Sequence, residues 1–267
     1  MGSDTPIILT AACTGNMLSR KDTPYIPYTT QELIDEGIHA IDAGASMLHI
    51  HARQDDGTPT FDPEKFIPQI EAFKRHEPDI VIQISVGSMA GRMDKCLEPL
   101  LAMKPDIASF NLKYTEEETL FMADMFKKYS IKPVIECFNP AMMDMVHEAI
   151  KVGLISTPLL IELLFELHDE DRSFTEQAKQ LLDYIAKMPA KSTWSVTRGA
   201  KSYYKMQAMA AALGGNLRTG LEDHVFGPDG KTLLKSNADF IMHSKEIALT
   251  MGRTIATPKQ ARDILGV

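Results

Sequence analysis

The chain has 267 residues, 44% of them hydrophobic and 24% charged, and carries a formal net charge of −8. This length suits one α/β barrel, the acidic balance offers no broad basic surface to nucleic acid, and no apolar segment approaches the ~20 residues of a membrane helix. The three cysteines show no CxxC spacing, which argues against a disulfide framework or a thiolate metal site and favours a reducing, cytoplasmic location.

Eight short apolar or β-branched runs alternate with amphipathic segments along the chain. We predict strands over residues 7–12, 47–52, 80–85, 107–112, 133–138, 159–165, 193–197 and 216–221, and helices over 30–43, 63–75, 94–103, 116–128, 140–152, 174–187, 202–213 and 237–251. Eight such pairs predict a protein of the α/β class, a (β/α)8 TIM barrel, with residues 1–267 as a single domain. A doubly wound open sheet is the alternative, which the absence of GxGxxG after the first strand disfavours.

Two histidines lie one residue apart on the second predicted strand. Because side chains alternate along a strand, His49 and His51 point to one face and Ile50 points to the other. In a barrel that face is the interior near the carboxyl ends of the strands, where active sites of this fold are built. The pair alone also fits two polar core residues that are satisfied by hydrogen bonds.

A third candidate metal ligand, Glu222, follows the eighth predicted strand, which lies next but one to the second strand in a closed barrel. Two imidazoles and one carboxylate suit zinc or another divalent metal and leave a coordination position open for a substrate oxygen. Glu222 and Asp223 also fit an ordinary acidic pair at a helix N-terminus. The spacing therefore predicts His49, His51 and Glu222 as metal ligands, with that alternative open.

Arg218 lies on the eighth predicted strand, on the same face as Glu222, and is therefore expected deep in the barrel interior. A buried positive charge needs a partner, and the candidates are Glu136 on the fifth strand and Asp223. A surface salt bridge is the alternative for Arg218. An aspartate paired with arginine is held ionised and oriented, as a general base requires. Ser85 ends the third strand, where its hydroxyl is suited to holding a carboxylate or to forming a turn.

Several short motifs follow one another in a fixed order from the first strand to the C-terminus. They are Thr10-Ala11-Ala12, Thr14-Gly15, Leu48-His49-Ile50-His51-Ala52-Arg53, Asp55-Asp56-Gly57, Gln83-Ile84-Ser85, Arg218-Thr219-Gly220-Leu221-Glu222-Asp223 and Ala256-Thr257-Pro258. This ordered series resembles the β-keto acid cleavage enzyme family. The resemblance implies a zinc-dependent (β/α)8 barrel that converts a β-keto acid and acetyl-CoA into acetoacetate and a new acyl-CoA by Claisen and retro-Claisen exchange.

The resemblance also implies the roles of the central residues. A metal on His49, His51 and Glu222 polarises the keto oxygen and stabilises the enolate. Asp223, oriented by Arg218, removes the α proton. Acetyl-CoA is a cosubstrate rather than a bound group, and family members form homo-oligomers, for which a tetramer is one plausible arrangement.

Further positions are carried over from the resemblance to the substrate pocket. Glu136 matches an acidic residue associated with the catalytic arginine, and Ser85, Ser88 and Ser109 match positions that hold the substrate's carboxylate and keto groups. The lysine-fermentation member of the family has a glutamate for its substrate's ammonium group where this chain has Met17. Since a thioether pairs no cation, we predict that 3-keto-5-aminohexanoate is a poor substrate and that an uncharged or aliphatic β-keto acid is preferred.

Two other functional classes remain as alternatives. A metal-dependent hydrolase or aldolase on the same fold is one, although amidohydrolases place their HxH pair on the first strand and carry a lysine on the fourth. This sequence lacks both features. The other alternative is a barrel that binds a small acid without catalysis.

Overall fold

The computed structural model describes residues 5–86, 93–112, 115–165, 172–198 and 200–267. In this part of the chain the strands are β1 Leu9–Ala12, β2 Met47–Ile50, β3 Ala52–Arg53, β4 Pro59–Thr60, β5 Val81–Ile84, β6 Ile107–Phe110, β7 Lys132–Cys137, β8 Leu159–Leu164, β9 Ser192–Thr197 and β10 Asn216–Thr219. The α-helices are α1 Thr30–Ala43, α2 Pro63–His76, α3 Met93–Ala102, α4 Glu116–Tyr129, α5 Met142–Lys151, α6 Phe174–Ala186, α7 Tyr203–Ala212, α8 Asn237–Thr250 and α9 Pro258–Leu265.

Eight of these strands form a closed parallel barrel. Their order around the barrel is β1, β2, β5, β6, β7, β8, β9 and β10, and β10 pairs with β1 to complete it. The predicted (β/α)8 TIM barrel is thereby confirmed, and the open sheet is wrong. No helix in the described part of the chain has both the length and the apolar character needed to cross a membrane.

The helix boundaries follow from local capping. Helix α1 begins after Thr29, whose hydroxyl accepts from the Glu32 N–H while the Glu32 side chain accepts in return, and it ends at Gly44 with φ of +118°. The same reciprocal cap starts α4, α6, α8 and α9. Helix α9 was not predicted, because its eight residues are too few to show clear periodicity, although Thr257 and Gln260 form its capping box.

A short hairpin of β3 and β4 was also not predicted, since two-residue strands leave no alternation to detect. Within it, the buried guanidinium of Arg53 donates to Thr14 Oγ1 and to the carbonyl oxygens of Leu18 and Gly57. These bonds tie the hairpin to the long loop after β1. The hairpin and the loop after β1 are therefore held together by hydrogen bonds at the rim of the barrel beside β2.

Side chains on each barrel strand alternate between the helix layer and the barrel interior. Along β2, Leu48 and Ile50 pack in the main core with the helices, whereas Met47 belongs to a separate apolar cluster. That cluster contains residues near the strand starts and residues of the C-terminal segment: Ile8, Met47, Val81, Ile107, Val134, Leu160, Ala256, Ala261 and Leu265. Helix α9 thus covers the amino-terminal end of the barrel, and the mouth lies at the carboxyl ends of the strands.

Above this apolar floor the interior is polar. The next inward position of each strand carries a buried polar or charged side chain: Thr10, His49, Gln83, Ser109, Glu136, Glu162, Ser195 and Arg218. Branched apolar residues usually fill such a barrel, and buried polar groups cost free energy unless they have partners. This polar layer is therefore the place to look for a ligand or ion site.

Candidate metal centre

Three buried side chains converge at the mouth from the two strands that flank β1. His49 and His51 come from the end of β2, and Glu222 comes from the turn after β10. The two imidazole Nε2 atoms are 3.2 Å apart, and each lies 3.4 Å from Glu222 Oε2. The sequence-predicted ligand set is thus brought together in a compact triangle.

The size of this triangle fits a zinc-sized cation. Zinc bonds to nitrogen and oxygen ligands of roughly 2.0–2.1 Å, set at tetrahedral angles, separate neighbouring ligand atoms by about 3.3–3.4 Å. Glu222 Oε2 is buried and has no hydrogen-bond partner in the described structure, so its lone pairs are available to a cation. Both observations agree with a divalent ion bound by His49, His51 and Glu222, with a further position left for a ligand.

The surrounding charges also favour a bound cation. Arg218 is fully buried, and its guanidinium lies 2.9 Å from Glu162, 2.5 Å from Glu222 and 2.9 Å from Asp223. Arg198, whose Nε lies 3.5 Å from Asp223 Oδ1, adds a second positive charge, so that two positive charges face three negative charges. Buried charges are costly when unpaired, and a cation bound at the triangle compensates the excess negative charge.

The pKa shifts of Glu222 and His51 favour the protonation states that metal binding requires. Burial alone would raise the pKa of Glu222, but Arg218 and the two imidazoles hold this pKa well below its ordinary value. Burial lowers the pKa of His51, opposed only in part by Glu222, so the imidazole is neutral at neutral pH. An anionic carboxylate and neutral imidazoles are the forms that ligate metal.

Glu162, which sequence analysis did not single out, takes the place expected for Glu136 beside Arg218. Glu136 is the register neighbour of Glu162 on β7, and among the described residues no ion pair joins it to the arginine. The physical reason is position, because β8 lies two strands from β10 and β7 lies three strands away. Burial and the charge of Glu162 raise the pKa of Glu136, against smaller opposing effects of His49 and Arg218.

The predicted substrate-binding serines lie on the other side of the histidines. Extending the pairing of His49 with Gln83 places the buried Ser85 beside His51, and the next strand places Ser109 beside Ser85. Ser109 is close enough to Glu136 to lower its pKa, but its hydroxyl makes no hydrogen bond of ordinary geometry. Ser88 lies outside the described residues.

Arg198 is a charged residue near the site that sequence analysis did not identify. It follows β9 with φ of +66°, and its Nε lies 3.5 Å from Asp223 Oδ1. A left-handed backbone is uncommon for a residue with a side chain and costs on the order of 1 kcal/mol or more. The available signal was a basic residue directly after a barrel strand, at the end where active sites form.

Gly15 lies directly against the side chain of Glu222. Its φ is +65°, and a Cβ on this residue would overlap Glu222 Cγ. We expect Gly15→Ala to displace the carboxylate and weaken zinc binding by about 10-fold or more, as loss of ligand orientation does. The affinity for Zn²⁺ in a competition assay with a chelator measures this effect.

The matched control for backbone strain is Gly153→Ala. Gly153 has a similar φ of +74°, but a Cβ there meets nothing within 4 Å. This variant should lose about 1 kcal/mol of stability without a change in zinc affinity. Equal zinc affinities of the two variants would show that Gly15 has no effect on Glu222.

His224 stacks on Tyr203 next to the site, with ring centroids 4.5 Å apart. Burial lowers the pKa of His224 to about 4, with Asp223 acting in the opposite direction. The unfolded chain, with an ordinary histidine pKa of about 6.5, therefore binds a proton more readily. The stability from this group is complete above about pH 6.5 and is lost as the pH falls towards 4.

We accordingly expect metal-free protein to lose on the order of 2 kcal/mol of unfolding free energy between pH 6.5 and 4 through His224. In His224→Phe, which keeps an aromatic ring on Tyr203 but takes up no proton, this part of the pH dependence should disappear. Urea unfolding at several pH values in the presence of EDTA measures the difference. Parallel pH profiles for the two proteins would contradict the assignment.

Comparisons with known proteins identify the family and the fold of the chain. Residues 6–267 match the family model described as beta-keto acid cleavage enzyme. The chain is 33% identical to the 3-keto-5-aminohexanoate cleavage enzyme of Acetoanaerobium sticklandii, over 98% of each chain. It is 30% identical to the 3-oxoadipate:acetyl-CoA acetyltransferase of Cupriavidus necator, over 98% of this chain and 95% of that one. The solved complex of ObcA with oxaloacetate has the same fold, with a TM-score of 0.72 at 19% identity, covering 91% of this chain and 67% of that chain.

A closed α/β barrel with a His-His-Glu triangle and an arginine-held aspartate at its mouth defines an enzyme with a candidate metal site. The chain belongs to the β-keto acid cleavage enzyme family. The family membership and the enzyme class inferred from the sequence motifs are confirmed.

Proposed function

We propose that this protein is a metal-dependent acyltransferase that exchanges a β-keto acid with acetyl-CoA to give acetoacetate and a new acyl-CoA. The observation that carries the proposal is the triangle of His49, His51 and Glu222 next to the buried carboxylate of Asp223. The name of the Cupriavidus relative, 3-oxoadipate:acetyl-CoA acetyltransferase, pairs a keto acid with acetyl-CoA, which supports the same reaction class. When bound, a divalent ion such as Zn²⁺ polarises the keto group and stabilises the negative charge that develops on it.

Asp223 is the proposed base. Arg218 contacts both of its oxygens, with Nε 2.9 Å from Oδ2 and Nη2 3.1 Å from Oδ1. Such bidentate pairing fixes the direction of a carboxylate. The geometry suits removal of a proton from the carbon between the keto and carboxylate groups of the substrate.

The proposed exchange has two carbon–carbon bond steps, a condensation followed by a cleavage. The carbanion formed by Asp223 attacks the acetyl carbonyl of acetyl-CoA and releases the CoA thiolate. The thiolate attacks the original keto carbon, the adjacent carbon–carbon bond breaks, and Asp223 returns its proton to the departing acetoacetate carbanion. Ser85, Ser109 and Ser88 are the proposed contacts to the substrate's carboxylate and keto groups, and Glu136 is the proposed acidic neighbour of this charge network.

The direct test is incubation of zinc-loaded protein with acetyl-CoA and a panel of β-keto acids. Acetoacetate and the matching acyl-CoA should appear in equal amounts, and treatment with a chelator should abolish both. Release of free CoA without acetoacetate would point to a hydrolase. Keto acid binding without turnover of any panel member would point to a binding barrel.

Met17 determines the expected substrate preference. It lies on the rim loop with 52% of its surface exposed, and its thioether offers nothing to an ammonium group. We expect the value of kcat/KM to be at least about 10-fold higher for an aliphatic β-keto acid than for 3-keto-5-aminohexanoate. Met17→Glu should raise kcat/KM for 3-keto-5-aminohexanoate, because a carboxylate can pair with its ammonium group. Met17→Gln is the uncharged control.

Equal turnover of the two substrates by the unmodified protein would contradict this preference.

We also propose that the protein is cytoplasmic and that it assembles as a homo-oligomer, such as a tetramer. Size-exclusion chromatography with light scattering tests the assembly.

A further inference from the structure

The turn formed by residues 220–224 carries both Glu222 and Asp223. All four N–H groups after its first residue are hydrogen-bonded, and three of them donate to backbone carbonyl oxygens over 3.0–3.1 Å. The fourth, from Leu221, donates to a side chain, the Oδ1 atom of Asn237, at 3.0 Å. Asn237 thus completes the hydrogen bonding of the turn that holds the proposed metal ligand and base.

Both the oxygen and the nitrogen of the Asn237 side-chain amide are hydrogen-bonded. Asn237 is fully buried at the first position of α8, and its Nδ2 donates to the Cys13 carbonyl oxygen at 3.1 Å and to Glu36 Oε2 at 2.8 Å. Its backbone N–H donates to the same Glu36 oxygen at 2.7 Å. Because Glu36 only accepts, it fixes which way the amide faces and turns Oδ1 towards Leu221.

The turn also lies in direct contact with this amide. Gly220 has φ of +142°, and a Cβ on it would lie 2.7 Å from Asn237 Oδ1 and overlap the Ala12 carbonyl oxygen. The amide oxygen of Asn237 is thus in direct contact with the turn, with no water molecule between them. We therefore expect a change in this amide to alter the backbone just before Glu222.

We propose that Asn237, oriented by Glu36, is a positioning residue that sets the place of Glu222 and Asp223 at the metal centre. The proposal rests on the proposed function in taking Glu222 as a metal ligand and Asp223 as the base. Asn237 joins three parts of the molecule, namely the end of β1, helix α1 and the turn after β10. It acts through these contacts and touches neither the ion nor the substrate.

The decisive variant is Asn237→Asp, which keeps the shape and the acceptor for Leu221 but replaces the amide donors with a negative charge facing Glu36. We expect its zinc affinity to fall about 10–100-fold, the usual effect of losing an outer partner of a metal ligand. The visible spectrum of the Co²⁺-substituted protein should shift as well. Adding Glu36→Gln restores a donor opposite residue 237 and should recover much of the affinity.

Ser236→Ala is the matched control. It removes the cap of α8 one residue earlier and should cost about 1 kcal/mol of stability without changing zinc affinity. Asn237→Asp with unchanged zinc affinity and Co²⁺ spectrum would overturn the proposal, as would a double variant with no recovery. If Asn237→Asp does not fold, Glu36→Ala decides the question, since weaker zinc binding supports the role and unchanged binding overturns it.

The zinc measurements test the positioning role of Asn237 independently of the proposed acyl exchange. Unmodified protein that binds zinc but forms no acetoacetate would refute the reaction and leave the role of Asn237 to be decided by the variants. Active unmodified protein together with full zinc affinity in Asn237→Asp would refute the positioning role alone. Unmodified protein that binds no divalent metal would refute both.

Discussion

Asp223→Asn is expected to lower kcat for thioester exchange by about 10²–10⁴-fold while zinc content stays at the level of the unmodified protein. The amide has the shape of the carboxylate but lacks a site basic enough to take the α proton. Arg218 retains Glu162 and Glu222 as partners, so the buried positive charge stays compensated. Steady-state kinetics and metal analysis of the same preparation check both parts of the prediction.

The control for this experiment is Asp229→Asn. Asp229 is an exposed aspartate that accepts hydrogen bonds within its own loop, from Lys231 and Thr232. Its replacement should leave kcat within about twofold, as is usual for a surface change. Asp223→Asn with more than a tenth of the original kcat would rule out Asp223 as the base.

Glu222→Gln is expected to have the largest effect on the metal, weakening zinc affinity by more than the 10–100-fold typical of an outer partner. A neutral amide oxygen is a poorer zinc ligand than a carboxylate, and the substitution also removes one of the negative charges that a dication balances. Activity should fall together with metal content. Equilibrium dialysis against a zinc buffer measures the affinity.

Glu162→Gln separates the role of ligand from that of charge partner. Glu162 and Glu222 both contact Arg218, but only Glu222 belongs to the triangle with His49 and His51. We therefore expect Glu162→Gln to destabilise the protein yet retain zinc within about 10-fold of the original affinity. If both variants lose zinc equally, the loss reflects the charge network and Glu222 is not a ligand.

The local pattern of the sequence was sufficient to predict the fold and the convergence of the three candidate metal ligands. Alternation along the second strand placed His49 and His51 on one face, and the closed strand order placed Glu222 next to them. Both inferences depend on properties that repeat along the chain, namely the period of a strand and the neighbour relations of a barrel. This regularity is why a single sequence was informative here.

The charge partners of Arg218 were harder to predict because they depend on how strands stagger around the barrel. Glu136 and Glu162 hold equivalent positions on adjacent strands, and only the closed structure shows which one reaches the arginine. A signal was present, since Glu162 is the one charged residue in the strand Leu159–Leu164. A charge in such a strand is buried and therefore requires an opposite charge.

Asn237 and Gly15 were not predictable for a different reason. Each acts through a close contact with a segment that is distant in sequence, and neither residue type is unusual at the start of a helix or in a loop. Such packing contacts leave no periodic trace in the sequence. They become visible only when the three-dimensional structure is available.

The position of the ligands on either side of β1 has a consequence for the whole barrel. The barrel is closed by the pairing of its first strand, β1, with its last strand, β10. On the proposed ligand set, an ion bound by His49 and His51 after β2 and by Glu222 after β10 would link these two segments across β1. At free metal a thousandfold above its dissociation constant, such an ion would add about 4 kcal/mol to folding stability. In the metal-free protein, the backbone amide hydrogens of β1 and β10 should exchange with solvent faster than those of β7 and β8 on the opposite side of the barrel.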